Sequence, residues 1–345
     1  MHMSDALLSA PVGLSMWAVS GGCIAGAAAR LKKDELCEKK LPLMAVCGAF
    51  VFAAQMMNFT IPGTGSSGHI CGGILLSALL GGGPAVLTIT AVLTIQCLIF
   101  ADGGLLALGC NIFNMGILPC LVMYPLLFRP LMKKGITPKR LTLAAVLCSV
   151  LGLQLGAFSV VVETQLSGIT ALPFGTFLLL MQPIHLAIGF VEGLATSAVL
   201  VFVAKMRPEL LESAQTQTAI GRAVPLKRVL LVLGALAVLT AGGLSLLASQ
   251  NPDGLEWALQ GITGSTELAP QQDAAHAAAQ NVQNATALLP DYAFSDGSGA
   301  GAAGVLGAAA TFALAGACGL GISHIRRKHA QKDVNTHDGF SQQNL

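Results

Sequence analysis

Long apolar runs, without the alternation of a membrane-spanning strand, recur along most of the chain. Runs such as 141–155 and 229–247 do not alternate between apolar and polar residues. Several of the apolar runs approach the length of about 20 residues that a helix needs to cross a bilayer. The pattern predicts helices at about 8–30, 41–58, 70–80 (a short one), 84–100, 105–128, 141–162, 174–204, 226–247 and 302–322. The first seven of these helices are expected to form one core, and the last two a hairpin.

The composition is typical of a membrane protein. Only 10% of the 345 residues are charged, against about 25% in soluble domains, and 54% are hydrophobic. We therefore expect an all-α polytopic membrane protein, with a core of about seven helices followed by a two-helix hairpin in the lipid bilayer. The nine cysteines include no C-x-x-C pair, so neither a disulfide framework nor a zinc site is indicated.

Basic residues predict the orientation. All 19 Lys and Arg residues fall into four clusters, at 30–40, 129–140, 205–228 and 326–332. Because cytoplasmic loops carry an excess of Lys and Arg, these clusters are expected on the cytoplasmic side, which puts the N-terminus outside and the C-terminus inside. The first residues include Asp5 but no Lys or Arg, so they are not expected to be a cleaved leader.

The predicted domain organisation has two parts. Residues 1–208 form the core, and 209–227 a polar cytoplasmic link. Residues 228–325 form a two-helix unit enclosing an extracytoplasmic loop at 250–299, and 326–345 a cytoplasmic tail. The loop has no Lys or Arg and is expected to be loosely folded. Its acidic residues are Asp253, Glu256, Glu267, Asp273, Asp291 and Asp296.

The first two residues are candidate metal ligands. Met1 and His2 offer three nitrogens: the α-amine of Met1, the backbone amide of His2 and the imidazole of His2. These donors close fused chelate rings around one ion and favour the planar arrangement that suits Ni(II) or Cu(II). We expect the start methionine to be retained, because a bulky second residue hinders its removal. An incidental histidine is the alternative.

A second candidate stretch lies at 58–73, with the sequence NFTIPGTGSSGHICGG. It is too rich in Gly, Pro, Ser and Thr to continue a membrane helix, so we expect an ordered re-entrant loop on the outer side. His69 in this loop would add a fourth nitrogen, unless it only caps the next helix. The candidates to orient its imidazole are Asn58, Thr64, Ser66 and Ser67.

Ionisable residues within or near the predicted spans are candidates for function, because such residues are costly in hydrocarbon. His185 and Glu192 are seven residues apart, hence on one helix face, and are expected to form a buried pair that fixes helix packing or helps couple to a partner. Asp102 begins a tight outer turn with Gly103 and Gly104, near enough to the loop to support a metal site.

Together these motifs resemble the CbiM/NikM family, the substrate-capturing membrane subunits of energy-coupling-factor (ECF) transporters for cobalt and nickel. The resemblance covers about residues 1–205. The matching segments are Met1-His2, NFTIPG at 58–63, SGH at 67–69, Gly72-Gly73, QCLIFADGGLLAL at 96–108, FNMG at 113–116 and HLAIGFVEG at 185–193.

The resemblance implies a metal site in which the Met1 amine, the His2 amide and imidazole, and His69 hold a transported Ni(II) or Co(II) ion. Many family members continue with Ile-Pro-Asp-Gly or Ile-Met-Glu-Gly, whereas residues 3–6 here read Met-Ser-Asp-Ala. The chelating atoms are unaffected, but the choice between nickel and cobalt is left open.

A second, weaker resemblance covers about residues 226–325. The segment PDGLE at 252–256 is similar to the signature of the small two-helix partner of these transporters, the CbiN/NikN-like module, here fused to the core. An unrelated membrane hairpin is the alternative.

The family resemblance implies a subunit of an ECF-type ABC importer in a bacterial cytoplasmic membrane. It would work with a transmembrane coupling subunit and ATP-binding subunits, with no cofactor besides the transported ion and no nucleic-acid partner. The sequence has no G-x-x-x-x-G-K-[ST] phosphate loop of its own.

Two alternative functions are open. One is an intramembrane serine protease, from the G-x-S-G pattern at 65–68 with His185 as base, and the other is a metal-ion channel without an energy source.

Overall fold

The computed structural model describes residues 1–33, 37–218, 220, 224–269, 271–294 and 299–342. This part of the chain is mainly helical. In chain order the helices are α1 (Ala10–Lys33), α2 (Cys37–Gln55), α3 (Gly73–Leu80), α4 (Gly82–Phe100), α5 (Leu108–Met132), α6 (Pro138–Ser167), α7 (Phe174–Met206), α8 (Pro208–Thr216), α9 (Lys227–Gly242), α10 (Gly254–Thr263), α11 (Ala274–Thr286) and α12 (Ala300–Gln342). Two strands, β1 (Phe59–Ile61) and β2 (Ser66–Gly68), lie between α2 and α3.

The all-α membrane architecture predicted from the sequence is confirmed. Within the described residues, six helices are long and apolar enough to cross a bilayer: parts of α1, α4, α5, α6, α7 and α12. The apolar part of α2 is shorter, and α9 has 16 residues. The short helix expected at 70–80 is also present, but it begins at Gly73. Its eight residues rise only about 12 Å, too little to span hydrocarbon.

Helix α5 is widened into a π-helical form from Phe113 to Phe128. Pro119 and Pro125 lie within this segment, and a proline in an α-helix lacks a backbone donor and clashes with the carbonyl of the preceding turn. The wider π turn relieves this crowding. Pro119 then packs on Gly73, where an added Cβ would lie 2.5 Å from Pro119 Cγ, so that α5 supports the start of α3.

The expected non-helical loop at 58–73 contains an antiparallel hairpin that the sequence did not predict. Thr60 pairs with Ser67 at the centre of its two strands. The turn between them includes Gly63 and Gly65, both with positive φ, a conformation that glycine adopts without strain. The hairpin brings β2, and His69 after it, towards the start of α3.

The loop predicted to be loosely folded is ordered in its described part, so that prediction is wrong there. Asp253 accepts two backbone N–H groups at the start of α10, at 2.8 and 2.9 Å, and the Glu256 carboxylate accepts the N–H of Asp253 in return. Asp273 caps α11 in the same way. Each cap contributes about 1 kcal/mol, so these acidic residues begin helices instead of solvating a coil. Asp296 lies outside the described residues.

The two C-terminal membrane helices pack on the core. Helix α12 lies along α2, and α9 contacts both. Glycines allow the close approach of α12 to α9: a Cβ at Gly304 would lie 2.5 Å from the carbonyl oxygen of Ala241. The second part of the chain therefore shares an extensive contact with the first.

Helices α6 and α7 form a tight hairpin through two small residues one turn apart. A Cβ added at Gly193 would lie 2.5 Å from Cα of Val146, and one at Gly189 would lie 2.9 Å from Cα of Val150. Small residues at this spacing let membrane helices approach closely. Gly22 and Gly26 on α1 have the same spacing, but an added Cβ would meet no described atom within 4 Å at either position.

Gly193→Ala should lower the melting temperature of the detergent-purified protein by several degrees. The new methyl group meets backbone that cannot yield, and such overpacking costs about 1–3 kcal/mol. Gly175→Ala on the same helix is the matched control, since its Cβ has open space and alanine favours a helix by up to about 1 kcal/mol. Equal melting temperatures for the two variants would contradict the close contact.

Candidate metal centre

The N-terminus is buried inside the protein. Met1 is 4% exposed and Met3 is fully buried. The backbone of Met3 is held on both sides: its N–H donates to Asn111 Oδ1 at 2.8 Å, and its carbonyl accepts from Asn111 Nδ2 and from the N–H of Gly104. Burial of each methionine side chain stabilises by about 1.5–3 kcal/mol, which offsets the about 1–2 kcal/mol of backbone entropy lost per residue.

His69 faces this N-terminus from the hairpin side. Its Nδ1 lies 3.1 Å from the carbonyl oxygen of Ile70, which can only accept, so Nδ1 carries the hydrogen and Nε2 has a free lone pair. Nε2 is 3.3 Å from the Met1 amine. Burial, reinforced by the charged N-terminus, lowers the pKa of His69. The neutral imidazole is thus a nitrogen ligand pointing at the amine.

The segment after His69 is fixed by Glu192 of α7. Its two carboxylate oxygens accept the N–H groups of Cys71 at 2.8 Å and Gly72 at 3.1 Å. A charged acceptor with two backbone donors makes stronger hydrogen bonds than a neutral one. Glu192 therefore holds the loop that positions His69.

His2 lies beside His69, and their rings stack with centroids 5.1 Å apart. Its Nε2 is 3.1 Å from Gln96 Oε1, and its Nδ1 is 3.3 Å from Asp102 Oδ1. Burial lowers the pKa of His2. Because the Gln96 oxygen accepts, Nε2 carries a hydrogen, and Nδ1 faces the Asp102 carboxylate, a position where positive charge is stabilised.

Amide side chains connect His2 to the loop. Gln96 Nε2 donates to Gln55 Oε1 at 2.8 Å, and Gln55 Nε2 donates to the carbonyl of Cys71 at 2.8 Å. These hydrogen bonds fix the orientation of the Gln96 side-chain amide, so that its oxygen faces His2. The orientations of His2 and of the loop around His69 depend on each other.

The Met1 amine forms an ion pair with Asp253, whose Oδ2 is 2.6 Å away. Burial alone would lower the pKa of the amine, but the Asp253 carboxylate outweighs this and raises it. Burial opposes ionisation of Asp253 as well, but the charged amine holds the pKa of Asp253 below its usual range. The ammonium group therefore sits between Asp253 and His69.

These nitrogens are close enough to share one ion. Metal–nitrogen bonds of about 2.0 Å let two ligands lie up to about 4 Å apart, and the amine and His69 Nε2 are 3.3 Å apart. Among the described residues, no three His, Cys, Asp or Glu side chains are grouped so as to hold a metal. The metal site predicted from the sequence, which uses the main-chain nitrogens of Met1 and His2, stays a prediction.

The structure corrects the role predicted for the hairpin hydroxyls, which do not contact the His69 imidazole. The Ser67 hydroxyl donates to the carbonyl oxygen of Asn251 at 2.8 Å, and the Ser66 hydroxyl lies 3.4 Å from the carbonyl oxygen of Pro252. The other two candidates also contact the second module, through carbonyl oxygens that accept from its N–H groups: Asn58 from Ser249, and Thr64 from Trp257 Nε1. These residues dock residues 249–257 onto the hairpin.

Asp102 lies where the sequence analysis expected it, in the turn beside the candidate site. In addition to its contact with His2, its Oδ2 accepts the Tyr292 hydroxyl at 2.5 Å. Tyr292 belongs to the loop of the second module and was not singled out from the sequence. The sequence analysis named Asp253 as an acidic residue of the outer loop and as part of the PDGLE segment, but not as a partner of Met1.

The predicted pairing of His185 with Glu192 is wrong. The Glu192 oxygens bind the loop amides, whereas His185 Nδ1 is 2.8 Å from the carbonyl oxygen of Met181, one turn back in α7. The serine protease alternative also lacks its central contact, since Ser66 and Ser67 donate to carbonyls and not to an imidazole.

Two segments of the chain match known families. Residues 2–210 match CbiM, the cobalt uptake substrate-specific transmembrane region, and residues 227–324 match the PDGLE domain.

Similar proteins carry related names. A putative metal transport protein of Haloquadratum walsbyi is 37% identical over 61% of this chain and 93% of its own length. The putative fused nickel transport protein NikMN of Archaeoglobus fulgidus is 33% identical over 68% of this chain and 74% of its own. The fused nickel transport protein NikMN of Rhodobacter capsulatus is 29% identical over 85% and 88%.

Solved structures share the fold of part of the chain. The crystal structure of a truncated transition metal transporter is 29% identical with a TM-score of 0.53, over 60% of this chain and 99% of that one. A second transition metal transporter structure is 28% identical with a TM-score of 0.53, over 63% of this chain and 100% of that one. Because the match at residues 2–210 covers more than half of the chain, the protein belongs to the CbiM family, with a PDGLE domain after that region.

Proposed function

We propose that the protein captures and translocates Ni(II) or Co(II), held by the Met1 amine, the His2 amide and imidazole, and His69. The observation that carries this proposal is the position of the Met1 amine, buried and 3.3 Å from the free Nε2 of His69. The amine and the neutral imidazole are thus close enough to bind one ion, and the His2 ring stacks beside His69 with centroids 5.1 Å apart.

The chemistry of these donors favours late first-row divalent ions. Three nitrogens from two consecutive residues form fused rings, and a planar four-nitrogen set suits Ni(II) and Cu(II) more than ions that prefer oxygen ligands, such as Mg²⁺ or Ca²⁺. The relatives named for nickel and cobalt transport support these two metals as substrates. The transported ion is the substrate and not a resident cofactor.

Two carboxylates reduce the cost of bringing a divalent cation into this buried site. Asp253 lies against the amine at 2.6 Å, and Asp102 lies 3.3 Å from His2 Nδ1. Burying an uncompensated charge costs several kcal/mol even after relaxation of the protein. With both anions in place, the site attracts a cation before any ligand bond forms.

Energy for transport would come from partner subunits of an ECF-type importer. The sequence lacks the phosphate loop of an ATPase, so the proposal includes a transmembrane coupling subunit and ATP-binding subunits. The basic clusters and the link at 209–227 are the proposed cytoplasmic docking surface. The proposed location is a bacterial cytoplasmic membrane, with the N-terminus and residues 250–299 outside and the C-terminus inside.

Addition of Gly-Ser ahead of Met1 should abolish high-affinity nickel binding. The extension converts the amine ligand into an amide and places extra residues in a buried space. Partners that only orient a metal ligand contribute about 10–100-fold in affinity, so the loss of a ligand should raise the Kd by at least about 100-fold in calorimetry on the purified protein. The same two residues after Leu345 serve as the control. Undiminished affinity in the N-terminally extended protein would rule out the amine as a ligand.

His69→Ala should weaken nickel binding and change the geometry of the bound ion. With the fourth nitrogen replaced by water, we expect the Kd to rise by about 100-fold or more, as for the loss of the amine, and the diamagnetic signature of planar Ni(II) to be lost. Calorimetry and magnetic measurement on the same sample test both effects. His324→Ala is the matched control, because that histidine is exposed on α12. A planar, diamagnetic ion in His69→Ala would exclude His69 from the site.

A further inference from the structure

His185 presents an unused nitrogen next to the candidate metal centre. Its side chain is 1% exposed, and its Nδ1 lies 2.8 Å from the carbonyl oxygen of Met181. Because a carbonyl oxygen only accepts, Nδ1 carries the hydrogen, and Nε2 of the neutral ring has a free lone pair. Nε2 has no hydrogen-bond partner among the described residues. A buried acceptor left without a partner costs about 1–3 kcal/mol, so this arrangement calls for an explanation.

The free edge of the His185 ring lies at the cavity beside the Met1 amine. This cavity has room for about one water-sized particle, and its lining includes Met1, His69, His185, Asp253 and Gly254. A Cβ added at Gly254 would lie 3.0 Å from Cε1 and 3.3 Å from Nε2 of His185. The glycine after Asp253 therefore leaves open the edge of the ring that carries the lone pair.

This arrangement is the one in which histidines bind metals. A metal-binding histidine donates one ring N–H to a carbonyl or carboxylate, which fixes the tautomer and leaves the other nitrogen for the ion. His185 meets this condition without a metal present. The planar set of the proposed function leaves the two axial positions of the ion open, and a ligand beside the plane can add there to give a five-coordinate ion.

We propose that His185 is the exchange ligand of this site: its Nε2 binds the ion axially while the ion enters or leaves the N-terminal chelate. The inference rests on the proposed function. As the metal–Nε2 bond forms, the bond between the metal and the Met1 amine breaks, and the metal keeps its oxidation state. When the ion leaves, the freed amine and the His2 amide each take up one proton from the solvent in place of their bonds to the metal. The amine returns to Asp253, where it lies in this structure at 2.6 Å.

A second cavity gives the released ion somewhere to go. It shares Met1, Cys71 and Leu153 with the first cavity and continues to Asn114 and Ser149. Asn114 Oδ1 and Ser149 Oγ are buried and lack a hydrogen-bond partner among the described residues. Unpaired polar atoms at membrane depth are typical of an ion path. The two cavities thus adjoin at Met1, Cys71 and Leu153.

The proposal predicts a kinetic effect without a matching change in affinity. A ligand that binds the ion only during exchange lowers the energy barrier that binding and release have in common. Its removal should therefore slow nickel binding and nickel release by the same factor. In His185→Asn, the side-chain amide can still donate to Met181, but Nε2 is removed. We expect nickel release to a chelator, and nickel binding after mixing, each to slow by about 10-fold or more, while the Kd stays within about 3-fold of wild type.

Gly254→Ala provides an independent variant that keeps His185. Its methyl group meets the free edge of the ring and should slow exchange in the same way, whereas Gly261→Ala on the same helix meets only the flexible end of Leu180 and should not. The measurements use the full chain in detergent with Ni(II) alone as the probe, on variants that keep the wild-type melting temperature.

Two results would overturn the proposal. Unchanged exchange rates in both His185→Asn and Gly254→Ala would exclude His185 from the exchange step. A Kd raised as strongly in His185→Asn as in His69→Ala would make His185 a permanent ligand instead. Neither result bears on the proposed function, which is tested separately by the Gly-Ser extension ahead of Met1 and by His69→Ala.

Discussion

The ion pair between the Met1 amine and Asp253 is the contact on which the arrangement of the site depends. A buried charge without a partner is strongly destabilising, by about 3–5 kcal/mol when one member of a buried pair is removed. The N-terminus can therefore be buried only because Asp253 lies 2.6 Å away. Asp253 has a second role at the same time, since its other oxygen accepts two N–H groups at the start of α10. The cap fixes the carboxylate, and the carboxylate fixes the amine.

This pair also joins the two family regions of the chain. Met1, His2 and His69 come from the start and the core of the chain, while Asp253 comes from the PDGLE domain. Residues 249–257 bind the hairpin through Ser67 and cover the N-terminus from one side. The covalent connection keeps the second region at a high effective concentration near the first, which favours this contact over a free partner. The PDGLE domain is thus part of the wall of the candidate site.

The sequence predicted the membrane helices well because each depends on local composition alone. The nearness of Met1-His2 to His69 could also be anticipated, since the topology placed both on one face of the membrane. The hairpin at 59–68 and the contact with Asp253 could not, because pairing of Thr60 with Ser67 and docking of Asn251 depend on the tertiary fold. The acidic loop at 250–299 has no basic residue and therefore resembles a solvated coil in sequence. Only the positions of Asp253 and Asp273, each just before a segment that can form a helix, indicate that they are helix caps. His185 and Glu192 share a helix face, but each found a closer partner in the backbone.

The same ion pair gives the proposed capture reaction a favourable charge balance. The buried ammonium faces the carboxylate of Asp253, and the Asp102 carboxylate lies beside His2. Binding through the amine and the His2 amide requires the amine to lose one proton and the amide to lose another, while the ion brings two positive charges. The net charge of the buried site is then the same before and after binding, so the exchange avoids the large cost of changing the net charge in a low-dielectric interior. An ion that cannot displace the amide proton leaves this balance incomplete. The balance therefore favours divalent ions that bind amide nitrogen strongly, and it connects the metal preference to the ion pair between Met1 and Asp253.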